Sequence, residues 1–135
     1  MDSYTIKNVL KEQVKSSMYR SLIENEEVLN HISFLLAKVD VQVTEKNSIM
    51  VEVETKKYAT YIVDKNKLYI VVNSFNDKNA TLTIYSEIKE VSLNSRINDH
   101  DEECIESIEL DDIKITPSEH TLHFNEFIET VLKTF

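Results

Sequence analysis

The chain has 135 residues, 41% of them hydrophobic and 29% charged, with a formal net charge of −9. This size and composition predict one domain over residues 1–135, with enough apolar material for a core. One cysteine excludes an intramolecular disulfide. The complete lack of glycine excludes phosphate-binding loops and nucleophile elbows, which need glycine for close approach or positive φ.

The first part of the chain has helical periodicity, predicted here over residues 3–38. Apolar residues recur at spacings of three and four, as at Ile6, Val9 and Leu10 and again at Leu29 and Ile32. The pattern fits one bent helix or two helices, and the tripeptide Asn25-Glu26-Glu27 could cap a second one.

The apolar period changes to two near Val41, which predicts a sheet over residues 41–115. Alternation of this kind is typical of antiparallel strands with two unlike faces, so we expect a meander of about five to seven strands. A change of phase predicts a bulge or break near Lys89-Glu90. Turns are expected where Asn and Asp replace glycine: Glu45-Lys46-Asn47, Asp64-Lys65-Asn66 and Asn76-Asp77-Lys78-Asn79.

The last segment predicts an amphipathic helix over residues 117–134. Thr116-Pro117-Ser118-Glu119 combines a capping box with proline at the first helical position. An apolar stripe follows, which we expect to pack on the sheet: Phe124, Phe127, Ile128, Val131, Leu132 and Phe135. The predicted fold class is therefore α+β, with helices flanking a mostly antiparallel sheet.

The charge is concentrated in one short stretch. Residues 98–112 contain eight acidic residues and no lysine or arginine, and the other 120 residues carry a net charge of about −1. Such a stretch attracts cationic surfaces and repels polyanions, or it can be only a solvated edge that discourages strand pairing. The residues predicted to contact a partner are Asp99, Asp101, Glu102, Glu103, Glu106, Glu109, Asp111 and Asp112.

No other group of residues makes a complete site. His120 and His123 are three apart and could share a metal, but a zinc site needs further ligands and Cys104 is the only thiol. Nothing pairs Cys104 with a base and an orienting group. Tyr58, Tyr61, Tyr69 and Tyr85 lie on predicted strands near lysines, an arrangement seen in single-strand nucleic-acid binding, but half-buried strands favour tyrosine anyway. We expect no catalytic residues, no metal, no cofactor and no direct nucleic-acid binding.

These observations favour a non-enzymatic protein that binds a protein with a basic surface. Abundant Asn, Ile and Lys with scarce Ala, Pro and Arg indicate AT-rich codons, and thus a small acidic inhibitor or regulator from a phage or mobile element of a low-GC bacterium. An assembly factor, chaperone or structural subunit is the alternative, and a small enzyme using His120, His123 or carboxylates is a second one. With no long apolar run and no secretory signal, we expect a cytoplasmic protein without a membrane anchor, which could form a homo-oligomer.

Overall fold

The computed structural model describes residues 1–13, 22–118 and 121–135, and the side chains of residues 22–25 are outside that description. Within these ranges the chain forms three helices and seven strands, which confirms the predicted α+β class. The elements in chain order are α1 (Ser3–Lys11), α2 (Leu22–Leu36), β1 (Ser48–Glu54), β2 (Lys57–Asp64), β3 (Lys67–Ser74), β4 (Asn79–Tyr85), β5 (Val91–Ile97), β6 (Glu103–Leu110), β7 (Ile113–Ile115) and α3 (Phe124–Thr134).

The strands form two antiparallel sheets. The large sheet has the order β1-β2-β3-β4 and the small sheet has the order β5-β6-β7, so each strand pairs with its neighbours in sequence. The predicted break near Lys89-Glu90 is confirmed, because the two sheets are separated by the segment between Tyr85 and Val91. What periodicity could not show is that this break divides the meander into two sheets.

Each face of the large sheet is covered by a different part of the chain. On one face, residues such as Ile62 and Val71 pack with Ile6, Leu10 and Ile32 of the two N-terminal helices. On the other face, apolar residues pack with α3 and with the small sheet. Because successive strand residues point to opposite faces, one run of alternating strands supplies both cores. The second core includes Ile49, Val63, Leu68, Ile108, Leu110, Ile115 and Phe127.

The N-terminal segment contains two helical stretches. Asp2 caps α1, since its Oδ1 accepts a hydrogen bond of 2.7 Å from the Thr5 amide. The tripeptide Asn25-Glu26-Glu27 lies inside α2 and does not begin it, which corrects the predicted cap. Lys7 and Lys11 both pair with Glu26 and so join the two helices. Whether one bent helix links them depends on residues 14–21, which lie outside the described residues.

The C-terminal helix packs as predicted but begins later. Phe127, Ile128 and Val131 are buried, and α3 contacts β1 and β2. The helix starts at Phe124, and the predicted start at residue 117 is wrong. The segment before the helix bonds instead to the edge of β1: Glu52 N donates to Ser118 Oγ (3.3 Å), and Thr121 Oγ1 donates to Met50 O (3.2 Å). Glu119, the other capping-box residue, lies outside the described residues.

Candidate functional site

The eight acidic residues lie on one chain segment of the small sheet, which we call the acidic hairpin (residues 98–112) and which consists of β6 and the turns at its two ends. Asp99, Asp101 and Glu102 lie in the β5–β6 turn, and Asp111 and Asp112 lie in the β6–β7 turn. The other three are on β6: Glu103, Glu106 and Glu109. Seven of the eight are exposed and Glu109 is half-buried. The predicted residues therefore extend along β6 and into the turns at its two ends, with Glu103 on the face of Ile105 and Glu109 on the opposite face with Ser107.

The β5–β6 turn is held by its backbone and one amide side chain. Asn98 Oδ1 accepts hydrogen bonds from the amides of His100 (2.9 Å) and Glu102 (3.0 Å), and Asn98 N donates to Glu102 O (2.9 Å). Asp101 has a φ of 59°, a conformation that Asp and Asn tolerate better than most residues. The side chain that fixes this turn is Asn98, so the surrounding carboxylates remain directed at solvent.

A β-bulge positions the glutamates of β6. Asn94 pairs with Ser107 but Ser95 pairs with Ile105, so Glu106 is an extra residue with no partner on β5. Glu106 and Glu109 therefore line one shallow groove of about 440 Å³. Asn94 Nδ2 crosses this groove and donates to Ser107 Oγ at 2.9 Å and to Glu109 Oε1 at 3.5 Å.

Sequence analysis missed the residues that complete this groove. Asn94, Ser107, Lys114 and Thr116 line it together with the two glutamates. Ser107 is buried, Asn94 is half-buried, Lys114 and Thr116 are exposed, and none of the four belongs to a recognisable motif. The bulge is what brings them together, and only the pairing register shows it.

The acidic hairpin has no cationic partners among the residues that the structure describes. None of its eight carboxylates forms an ion pair with a described lysine, arginine or histidine. Glu109 is opposite Lys114 in the register of β6 and β7, but no ion pair forms between their side chains. The charge of this strip is therefore largely uncompensated by neighbouring side chains.

Asp111 differs from the other seven acids because it has a structural role. Its Oδ1 accepts from the amides of Lys89 (3.0 Å) and Glu90 (2.8 Å), and its own amide donates to Glu90 O (2.9 Å). These bonds fasten the segment between the two sheets to the β6–β7 turn. Asp111 also has positive φ, at 54°.

Lysines at the turns of the large sheet are partly paired with acids of their own region. Lys65 Nζ is 2.9 Å from Asp40 Oδ2, and Lys57 Nζ is 3.4 Å from Glu54 Oε2. The hydrogen bond from Lys65 lowers the pKa of Asp40 below its ordinary value and raises the pKa of Lys65. Asp40 and Glu54 thus have a lysine partner, whereas the acids of the acidic hairpin, like exposed Glu27 and Glu45, have no ion pair with a described cation.

Of the histidine and cysteine candidates, the structure describes His123 and Cys104. His123 precedes α3 as its N-cap, with a φ of 61°, and its Nδ1 is 3.9 Å from Glu126 Oε1. His123 is therefore not in the helical turn expected for it, and His120 lies outside the described residues. Cys104 is half-buried on β6 opposite Arg96. No group of three His, Cys, Asp or Glu side chains in the described ranges is placed to hold a metal ion.

The four strand tyrosines singled out in the sequence are mainly core residues. Tyr58, Tyr61 and Tyr69 are buried, and Tyr85 is 39% exposed. Burial raises the pKa of Tyr61 and, together with nearby Asp64, that of Tyr69. Three buried rings cannot act as stacking platforms for nucleic-acid bases.

Comparisons with protein-family models, with curated proteins and with solved structures found no match. In the described part of the chain, no helix has both the length and the apolar character needed to span a membrane.

Proposed function

We propose that the chain is a non-enzymatic binding protein whose acidic hairpin contacts a basic surface on another protein. The observation that supports this best is the strip of eight carboxylates on the small sheet, seven of them exposed and none in an ion pair with a described cation. A carboxylate without a local partner is available to a cation on another molecule, and a strip of them speeds association by long-range attraction.

The geometry divides the hairpin into two zones with different roles. The β5–β6 turn, with Asp99, Asp101 and Glu102, projects freely and would steer the approach of a basic partner. Glu106 and Glu109 line the groove around Asn94 and would lose water on contact. Charges at an interface rim affect association rates, whereas desolvated and hydrogen-bonded charges affect the lifetime of the complex.

In biological terms, we propose an inhibitor or regulator carried by a phage or mobile element of a low-GC bacterium and acting in the cytoplasm. It would act by occupying a basic surface such as the nucleic-acid channel of a nuclease. The carboxylate strip is suited to competing with a polyanion for such a channel, because both present rows of negative charge to the same cations.

The decisive variant removes four charges from the hairpin with little change of shape: Asp99→Asn, Asp101→Asn, Glu102→Gln and Glu103→Gln. Asn suits position 101 because it tolerates the positive φ there. Asp111 is left intact because it holds the backbone of residues 89–90. The matched control removes four exposed acids elsewhere: Glu27→Gln, Glu45→Gln, Glu90→Gln and Glu129→Gln. Both variants have the same net charge, so a difference in binding between them reports the position of the removed charges and not the total charge of the chain.

Each immobilised protein is used to capture proteins from a low-GC bacterial lysate, with elution by rising salt. We expect the unaltered chain and the control variant to retain the same basic protein, and the hairpin variant to lose it. With that protein purified, its association rate with the chain should fall steeply as salt shortens the Debye length from about 30 Å at 0.01 M to about 8 Å at 0.15 M. Equal capture by the hairpin variant, or loss of capture by the control variant, would contradict the proposal.

A further inference from the structure

The two edge strands of the large sheet differ in whether other described residues hydrogen-bond to their outer backbone groups. The edge of β1 is covered: Gln13 Nε2 donates to Ser48 O at 3.0 Å, Thr121 Oγ1 donates to Met50 O, and Glu52 N donates to Ser118 Oγ. The opposite edge is β4, which pairs with β3 on one side. No described residue makes a hydrogen bond to the other side of β4. That side presents backbone N–H and C=O groups in a row.

The composition of β4 is also unlike that of the other strands. Residues Asn79–Tyr85 include no charged side chain, whereas each of the other six described strands contains at least one. Thr81 and Thr83 are exposed, and Ile84 and Tyr85 are 44% and 39% exposed. Proteins usually protect an open edge with charged residues, proline or a bulge. Here the open edge is regular and uncharged, in a chain in which 29% of residues are charged.

The small sheet provides an internal comparison. Its outer strand β5 is also an edge, but it contains Arg96 and leads directly into the acidic turn at Asp99. The charge that normally discourages pairing is present on β5 and missing on β4. Of these two open edges, β4 is therefore the one suited to pairing with another strand.

We infer that β4 is a self-association site, at which two copies of the chain pair antiparallel about a twofold axis and join their large sheets into one of eight strands. The edge is complementary to itself. With Thr83 on the axis, Thr81 of one copy is opposite Tyr85 of the other on one face, and Leu82 is opposite Ile84 on the other face. Pairs of β-branched and aromatic residues of this kind stabilise adjacent strands.

Charges at the two ends of β4 favour the antiparallel arrangement. Lys78 comes just before the strand and Glu87 comes two residues after it, and both are exposed. An antiparallel pair brings Lys78 of each copy to the end where Glu87 of the other copy lies, while a parallel pair would place like charges together. The acidic hairpin is not part of this edge, so its net negative charge does not directly face a second copy there.

The first test measures the molar mass of the purified chain over a concentration series, by sedimentation velocity or light scattering. We expect a concentration-dependent shift from 15.7 kDa toward twice that mass. Thr83→Lys places two like charges opposite each other at the axis and should leave only monomer. Ser95→Lys is the matched control, since it adds the same charge at an exposed position of β5, and it should dimerise as the unaltered chain does.

The second test locates the axis. Thr83→Cys in a Cys104→Ser background should form a disulfide-linked dimer under mild oxidation, because residues opposite each other across an antiparallel pair are close enough for a disulfide. Ser95→Cys in the same background should not. Far-UV circular dichroism shows whether each variant is folded, and the cross-link does not depend on the lysine variants.

If the unaltered chain is a monomer at every concentration, the inference is wrong. It is also wrong if Ser95→Lys dissociates the dimer while Thr83→Lys does not. The same holds if the cysteine at position 95 forms the cross-link and the cysteine at position 83 does not. If β4 instead accepts a strand of a foreign protein, the chain alone stays monomeric, and the inference also fails. No basic partner is present in these experiments, so their outcome is independent of the proposed function.

Discussion

The large and small sheets use the same alternating sequence pattern for different purposes. In the large sheet, β2 and β3 are buried along most of their length because helices cover one face and α3 with the small sheet cover the other. In the small sheet, only the inward face is covered, and the outward face holds carboxylates and the groove around Asn94. The large sheet thus contributes most of the buried strand surface, and the small sheet exposes most of its acidic side chains to solvent.

The comparison also extends to how charges are neutralised. Glu26 of α2, Asp40 in the connection between α2 and β1, and Glu54 of β1 each have a lysine within ion-pair distance. The acids of the small sheet have none in the described ranges. A structural carboxylate gains from a nearby cation, and within the described residues the acidic hairpin has no such internal stabilisation.

The largest expected effect is loss of the packing between the large sheet and α3. Phe127 is fully buried in the core shared by α3 and both sheets. Phe127→Ala should destabilise the chain by about 3–5 kcal/mol, through lost burial and the cavity left behind. Leu132→Ala on the same helix is the control, because Leu132 is 52% exposed and its truncation should cost far less. Urea unfolding measures both, and similar midpoints for the two variants would show that α3 does not close this core.

A smaller difference is expected between the local stability of the central strands of the large sheet and that of the edge strand β5. Amide protons of β2 and β3 should exchange only on global unfolding, because these central strands are buried and paired on both sides. Amides of β5 should exchange faster through local opening, since this edge strand is largely exposed. Native-state hydrogen exchange by NMR measures both sets. Equal protection in β3 and β5 would contradict the division of roles between the sheets.

Sequence alone could predict the elements, the meander order and a break near Lys89-Glu90, but not that this break separates two sheets. The alternation of Ile49 and Val51 with polar neighbours predicts a strand because each face of a sheet needs one kind of side chain. The turns are also visible in sequence, although lysines provide several of the left-handed residues: Lys56, Lys65 and Lys78 have φ between 52° and 61°. Division into two sheets depends on which backbone groups pair over distance, and local patterns contain no information about that.

The start of the last helix shows how a local signal can be overridden. Thr116-Pro117-Ser118-Glu119 is a strong capping pattern, yet Ser118 and Thr121 bond to the edge of β1. These bonds hold residues 117–118 and 121–122 in non-helical positions beside the sheet, and the strand edge that makes them is not visible in the local sequence. For the acidic hairpin, sequence gave the charged residues, while the bulge at Glu106 and the role of Asp111 required the pairing register.

The smallest expected effect concerns the ion pairs between α1 and α2. The hydrogen bond from Lys7, followed by the interactions with Lys11, lowers the pKa of Glu26 below its ordinary value of 4.5. A carboxylate with a lowered pKa contributes stability that is fully present above its unfolded pKa and is lost as the pH falls through its folded pKa. The contribution is small because the pair is partly exposed and solvent screens it.

Glu26→Gln should therefore have a slightly lower urea midpoint than the unaltered chain at pH 7, and the difference should vanish as the pH falls below 4.5 and through the folded pKa of Glu26. Glu27→Gln, which removes an exposed acid next to it, is the control for loss of one charge. Neutralising the acidic hairpin should have the opposite sign at pH 7, because removing unpaired like charges relieves repulsion. A hairpin variant that loses as much stability as Glu26→Gln would mean that those carboxylates are also neutralised within the molecule, and the contrast between the two regions would then disappear.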